Sequence, residues 1–229
     1  MIHDARQFGL GIGLLVVFIC GLGLLFSPLF EGDRNALDYL DGVFNSVSKA
    51  SAYYIPKTRE RSRKLEGTAA SISVEAGSAG QAAELEKLFQ TAGATVVAQG
   101  TKLQVSGDLG RVLGAALDDA DAVFKNDVAS AQARYGFDGR RALVAWHAGL
   151  GEAVKDLTRQ GRFADSATVR DALTKGVEPA YNYYGVTPVP MRNMMGIALV
   201  ALAGYVIYTV WYGFAILFLF EGWGLNLEH

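Results

Sequence analysis

The chain has 229 residues, 51% of them hydrophobic and 19% charged, with a formal net charge of -2. That balance excludes the broad basic surface of a nucleic-acid binder, and no nucleic-acid partner is expected. The one cysteine, Cys20, excludes a disulfide framework within the chain.

Residues 1–7 read as a short tail carrying Asp4 and Arg6. The run 8–30 is apolar and ends Ser27-Pro28-Leu29-Phe30, with no small-x-small site for signal cleavage, so it reads as an uncleaved anchor, the first transmembrane helix. Gly9 and Gly13 stand four apart in it, a small-xxx-small face suited to close helix packing.

Residues 31–67 read as an amphipathic helix followed by a basic linker. Leu37, Leu40, Val43, Phe44 and Val47 follow the three–four spacing of one helical face, Asp33 or Asn35 caps its start and Pro56 ends it. Lys57, Arg59, Arg61, Arg63 and Lys64 then crowd one short segment, a candidate contact for lipid headgroups or an acidic partner as well as an ordinary solvated face.

An α+β extramembrane domain is expected over 68–190. Residues 71–76 alternate like a strand, and 78–92 carry Leu85, Leu88, Phe89 and Ala92 on one helical face. Residues 94–99 and 102–106 read as strands joined by a tight Gly100-Thr101 turn. Asp108 caps a further helix, which gives the order βαββα, a sheet with helices on one face. The second half reads as helical. Leu143, His147, Leu150, Val154 and Leu157 have the spacing of a helix seam, Asp165 or Ser166 opens another helix, and Gly176 closes it. Tyr181, Tyr183 and Tyr184 suit headgroup depth, and Pro188 and Pro190 impose an extended lead into the next helix.

Residues 191–220 form the second expected transmembrane helix. From 194 to 220 there is no charged side chain, and 27 residues at about 1.5 Å each reach about 40 Å, beyond a hydrocarbon core of about 30 Å. Gly204, Tyr205, Tyr208 and Tyr212 gather on one side of it, a candidate docking face because a phenol in hydrocarbon seeks a partner. Residues 221–229 read as a tail ending in a tag remnant, Leu227 to His229.

No residue pattern supports a catalytic, cofactor-binding or metal site, so no cofactor is expected. His147 has no ligand-type residue four positions away on either side, and Asp118, Asp119, Asp121 and Asp127 read as a solvated acidic face. The layout of two terminal anchors around a large domain, with prolines before the second, is similar to the polysaccharide chain-length regulators of bacteria, without their long coiled-coil helices.

The expectation is therefore a non-enzymatic scaffold or accessory subunit of a homo- or hetero-oligomeric membrane assembly, in contact with membrane lipids. The alternatives are a transport or channel component whose helices line a path, and a membrane-bound enzyme using His147. A short basic N-tail ahead of an uncleaved anchor favours both termini inside. That arrangement places the domain on the periplasmic or extracellular side of the inner (cytoplasmic) membrane.

Overall fold

The computed structural model describes residues 2–225, and its first helix, α1 (Ala5–Leu25), begins where Asp4 accepts the backbone N–H groups of Arg6 and Gln7 at 2.8 and 3.1 Å. It stops before Pro28, which excludes helix from Ser27, so it is displaced from the expected 8–30. The last helix, α10 (Met191–Trp223), runs three residues past the expected end and closes on Gly224 in the left-handed region. Both helices are long and apolar enough to cross a membrane. Only 6% of the apolar window of α1 and none of that of α10 is buried, unlike the core helix of a soluble domain. The expected tag remnant lies outside the described residues.

The chain divides into two compact units, Met1–Ser48 with Pro188–His229, and Lys49–Thr187. In the first unit α1 and α10 pack antiparallel. His3 and Asp4 donate to the Gly222 carbonyl, Gly11 meets Ala215 and Leu219, and Phe18 meets Tyr208 and Tyr212. The helix α2 (Ala36–Ser51) starts with a reciprocal cap: Asp38 N–H donates to Asn35 Oδ1 at 2.9 Å and Asn35 N–H to Asp38 Oδ2 at 3.3 Å. Of its expected apolar face only Val43 is buried, while Leu37 and Phe44 stay about half exposed. Pro56 does not end this helix. Pro56 lies in the first turn of α3 (Ile55–Arg63), where a missing N–H is no loss, and the basic run is helical.

In the second unit β1 (Ala69–Glu75), α4 (Ala79–Thr91), β2 (Thr95–Gln99), β3 (Lys102–Asp108) and α5 (Leu109–Phe124) follow the order βαββα. The sheet is antiparallel in the order β1-β3-β2, with Ile72 opposite Val105 and Val96 opposite the same residue. Gly100 turns the β2–β3 hairpin at φ 65°, and Asp108 caps α5 through the Arg111 N–H. Ala70, Ile72, Val74, Leu103 and Val105 face Leu85, Leu88 and Phe89 of α4 and the apolar faces of α5 and the later helices in one core. Each such large side chain, fully buried, contributes about 1.5–3 kcal/mol relative to exposure.

The helices α6 (Ala129–Tyr135), α7 (Gly139–Arg159) and α8 (Phe163–Ala172) complete the domain. Leu143, Leu150, Val154 and Leu157 are buried as a seam residue should be, but His147 is not among them. α8 begins at Phe163, ahead of the expected Asp165, and Gly176 does not close it. The chain runs through a π-turn, Leu173–Val177, directly into α9 (Glu178–Asn182). In the π-turn the Glu178 N–H reaches back five residues to the Leu173 carbonyl, one further than in an α-helix, and Pro179, with no N–H to donate, follows in the first turn of α9. Gly176 also fits because a Cβ there would come within 2.5 Å of the Leu117 side chain.

Candidate functional site

Close helix packing in the first unit depends on Gly11 rather than Gly9 and Gly13. A Cβ on Gly11 would stand 2.7 Å from Leu219 N, and one on Gly222 would strike the Phe8 backbone. Gly9 and Gly13 lie two residues to either side, about 200° around the helix, and have nothing within 4 Å. The tyrosines divide in the same way. Tyr208 stacks on Phe18 at 4.1 Å between ring centroids, and Tyr212 lies 5.0 Å from the same ring. Tyr205 is 67% exposed, and Gly204 beside it has nothing within 4 Å. The helix pair thus takes in Tyr208, leaves Tyr212 45% exposed despite its contact with Phe18, and leaves Gly9, Gly13, Gly204 and Tyr205 on its outer surface. An apolar furrow of about 610 Å³ also opens on the pair, lined by Leu14, Trp211, Phe214 and their neighbours. Tyr208 Oη and Trp211 Nε1 are shielded without a hydrogen-bond partner among the described residues.

In the domain the basic run separates by helical face. Arg59 pairs with Asp118 of α5 and donates to the Leu117 carbonyl, and Arg61 pairs with Asp171 of α8 at 2.6 Å. Lys57, Arg63 and Lys64 are exposed and have no acidic partner among the described residues.

His147 sits on the rim of a groove of about 380 Å³, with Leu143, Val144 and Val177 as its apolar wall and Glu178, Tyr181 and Asn182 opposite. Its Nε2 is 3.2 Å from Glu178 Oε1, with both side chains well exposed. The π-turn brings Glu178 there, a pairing that no local spacing in the sequence announces. Arg140 stands over the rings of Tyr181 and Tyr184, and Tyr183 packs edge-on to Phe124, while Tyr181 stays 42% exposed. Among the described residues no group of three or more His, Cys, Asp or Glu is placed to hold a metal ion.

The acidic run is not a uniformly solvated face. Asp118 pairs with Arg59, Asp121 accepts from Tyr53 Oη and Lys125, and Asp127 Oδ1 accepts the Ser130 N–H. Asp119 is fully buried. Its Oδ2 accepts from Tyr135 Oη and Trp146 Nε1, each at 2.7 Å, and Arg134 pairs with the other oxygen without hydrogen-bond alignment. Burial pushes the Asp119 carboxyl above its ordinary range against the pull of Trp146, Tyr135 and Arg134, and burial likewise raises the Tyr135 phenol. The signal was present in the sequence: Asp119 follows Ala116 by three and precedes Val123 by four, squarely on the apolar stripe of α5.

Lys49 is the second buried charge, at 1% exposure. Its ammonium donates to Val186 O at 2.7 Å, Tyr183 O at 3.0 Å and Asn126 Oδ1 at 3.2 Å, and lies 5.0 Å from the centre of the Phe124 ring. No carboxylate takes part in this set, and burial lowers the lysine pKa. Asn126, held at φ 66°, uses the same Oδ1 to accept the Gly185 N–H.

No protein-family model, no curated protein and no solved structure matches this chain.

Proposed function

We propose that the chain is a two-span protein of the inner (cytoplasmic) membrane that works as a scaffold or accessory subunit of a homo- or hetero-oligomeric assembly. In this reading α1 and α10 are the anchors, and the domain Lys49–Thr187 stands on the periplasmic or extracellular side as the presented module. The observation that carries it is the outer surface of the helix pair. Gly204 and Tyr205 remain open after α1 has stacked on Tyr208, Tyr212 stays about half exposed, and Gly9 and Gly13 remain open on α1. A phenol and backbone-thin glycine positions are better satisfied by another helix than by lipid chains.

The test is Gly204→Leu and Tyr205→Phe in the full chain, extracted in mild detergent. The expected result is loss of particle mass or of co-purifying subunits with Gly204→Leu and a weaker effect with Tyr205→Phe. One interhelical hydrogen bond there contributes about 0.6 kcal/mol. Unchanged mass and unchanged partners in both variants would refute the assembly role. A second reading, a ligand-binding or catalytic groove, is favoured by the His147–Glu178 pair at its 380 Å³ recess. His147→Gln separates the two readings, because assembly should be indifferent to it.

A further inference from the structure

A cavity of about 190 Å³ lies in the domain between α3 and the π-turn, lined by Tyr54, Lys57, Thr58, Arg61 and Lys175. Positions 54, 57, 58 and 61 follow the i, i+3, i+4, i+7 spacing of one helical face. Arg59 lies off this face and is occupied with Asp118, so the basic run contributes two of its five cations here. The third comes from Lys175, 118 positions after Lys57 in the chain, carried by the π-turn.

The charges do not balance. Asp171 is the carboxylate that meets this group: Oδ2 pairs with Arg61 at 2.6 Å and Oδ1 with Lys175 at 2.7 Å. Both of its oxygens are engaged, and the Lys175 hydrogen bond, then Arg61, holds its carboxyl below the ordinary range, so it is ionised at neutral pH. Three cations against one anion leave a net charge of +2, and Lys57 is without an acidic partner among the described residues. Like charges collected in a recess repel one another unless an anion joins them. The Arg61 fork has donors beyond the one given to Asp171, and the two ammonium groups can each turn several N–H bonds inward. The recess is too small for a nucleotide-sized ligand, which needs upwards of about 300 Å³.

We propose that this recess is a binding site for a single phosphoryl group, held by Lys57, Arg61 and Lys175. A phosphate monoester carries about -1.5 to -2 charges at neutral pH and so offsets the surplus, while a phosphodiester headgroup offsets half of it. The two sources share the same oxyanion chemistry, and one experiment distinguishes them. The site does not depend on the assembly reading.

The full chain in neutral detergent is titrated calorimetrically with inorganic phosphate, against chloride at equal ionic strength. In parallel the chain is reconstituted in phosphatidylcholine vesicles doped with phosphatidylglycerol, and retained lipid is read by native mass spectrometry. The variants are Lys57→Gln and Lys175→Gln, with Arg63→Gln and Lys64→Gln as controls that remove equal charge outside the recess. Lys57 has no acidic partner among the described residues to lose, so its variant should fold like the parent. Losing one charged hydrogen-bond donor should weaken binding about tenfold in the recess variants, with no comparable loss in the controls. Phosphate binding in the first arm identifies a soluble anion. Selective retention of phosphatidylglycerol in the second identifies a headgroup. No binding in either arm, or controls that weaken binding as much as the recess variants, would overturn the proposal.

Discussion

Replacing Asp119 by alanine should damage the domain more than any other acidic substitution in α5. The side chain is fully buried and accepts from both Tyr135 Oη and Trp146 Nε1 at 2.7 Å, which ties α5 to α6 and α7. Alanine leaves two buried donors without an acceptor, each at about 1–3 kcal/mol, or about 2–6 kcal/mol together. Removing a desolvated carboxylate offsets part of that, so the lower half of the range is expected. Asp119→Asn keeps one acceptor oxygen for both donors and should lose less. Asp118→Ala, which breaks an exposed pair with Arg59, should lose no more than about 1 kcal/mol. Denaturant unfolding of the full chain in detergent, followed by near-ultraviolet circular dichroism, measures all three. The pH dependence adds a sign. Because the folded carboxyl titrates above its ordinary value, the native state holds the extra proton, and wild type should lose stability relative to Asp119→Asn as pH rises through that interval. Equal stability of Asp119→Ala and wild type, or a difference from Asp119→Asn that is flat with pH, would refute the description of Asp119 as a buried three-helix pin.

Gly11→Leu should separate α1 from α10 while Gly9→Leu and Gly13→Leu leave them together; cysteines at Phe8 and Trp223 in a Cys20→Ser background report this by cross-linking yield. Lys49→Ala should destabilise the domain by about 1.5–3 kcal/mol, since three partly buried oxygens lose a charged donor. Burial lowers the lysine pKa, so wild type should gain stability relative to Lys49→Met as pH rises toward the ordinary lysine value, measured by melting at stepped pH. A cysteine at exposed Ala79, again with Cys20→Ser, should react with an impermeant maleimide on intact cells; labelling only after lysis would place the domain inside. His147→Gln should change stability by no more than about 1 kcal/mol, because the pair it loses is exposed.

What was legible in the sequence was local. The order βαββα, the Asp108 cap, the Gly100-Thr101 turn and the two long apolar helices depend on periodicity and capping within a few residues, and the chain folds accordingly. What was illegible depended on distance in the chain. Gly9, Gly11 and Gly13 are equivalent as letters, and only the approach of Leu219 selects the middle one. Glu178 meets His147 across 31 positions, and the π-turn that precedes Pro179 has no periodic signature. Pro56 was ambiguous for a physical reason, since proline both stops one helix and starts the next, and a three-residue gap between α2 and α3 hides the difference.

The Lys49 ammonium grips the carbonyls of Tyr183 and Val186, so the first and last turns of the domain are fastened side by side. A module whose ends are already joined asks nothing of its neighbours to bring them together, and the entropy of closing its long loop is met from within. Such a segment behaves as a cassette. It should tolerate being set between helices of different length or sequence, because its closure rests on its own residues.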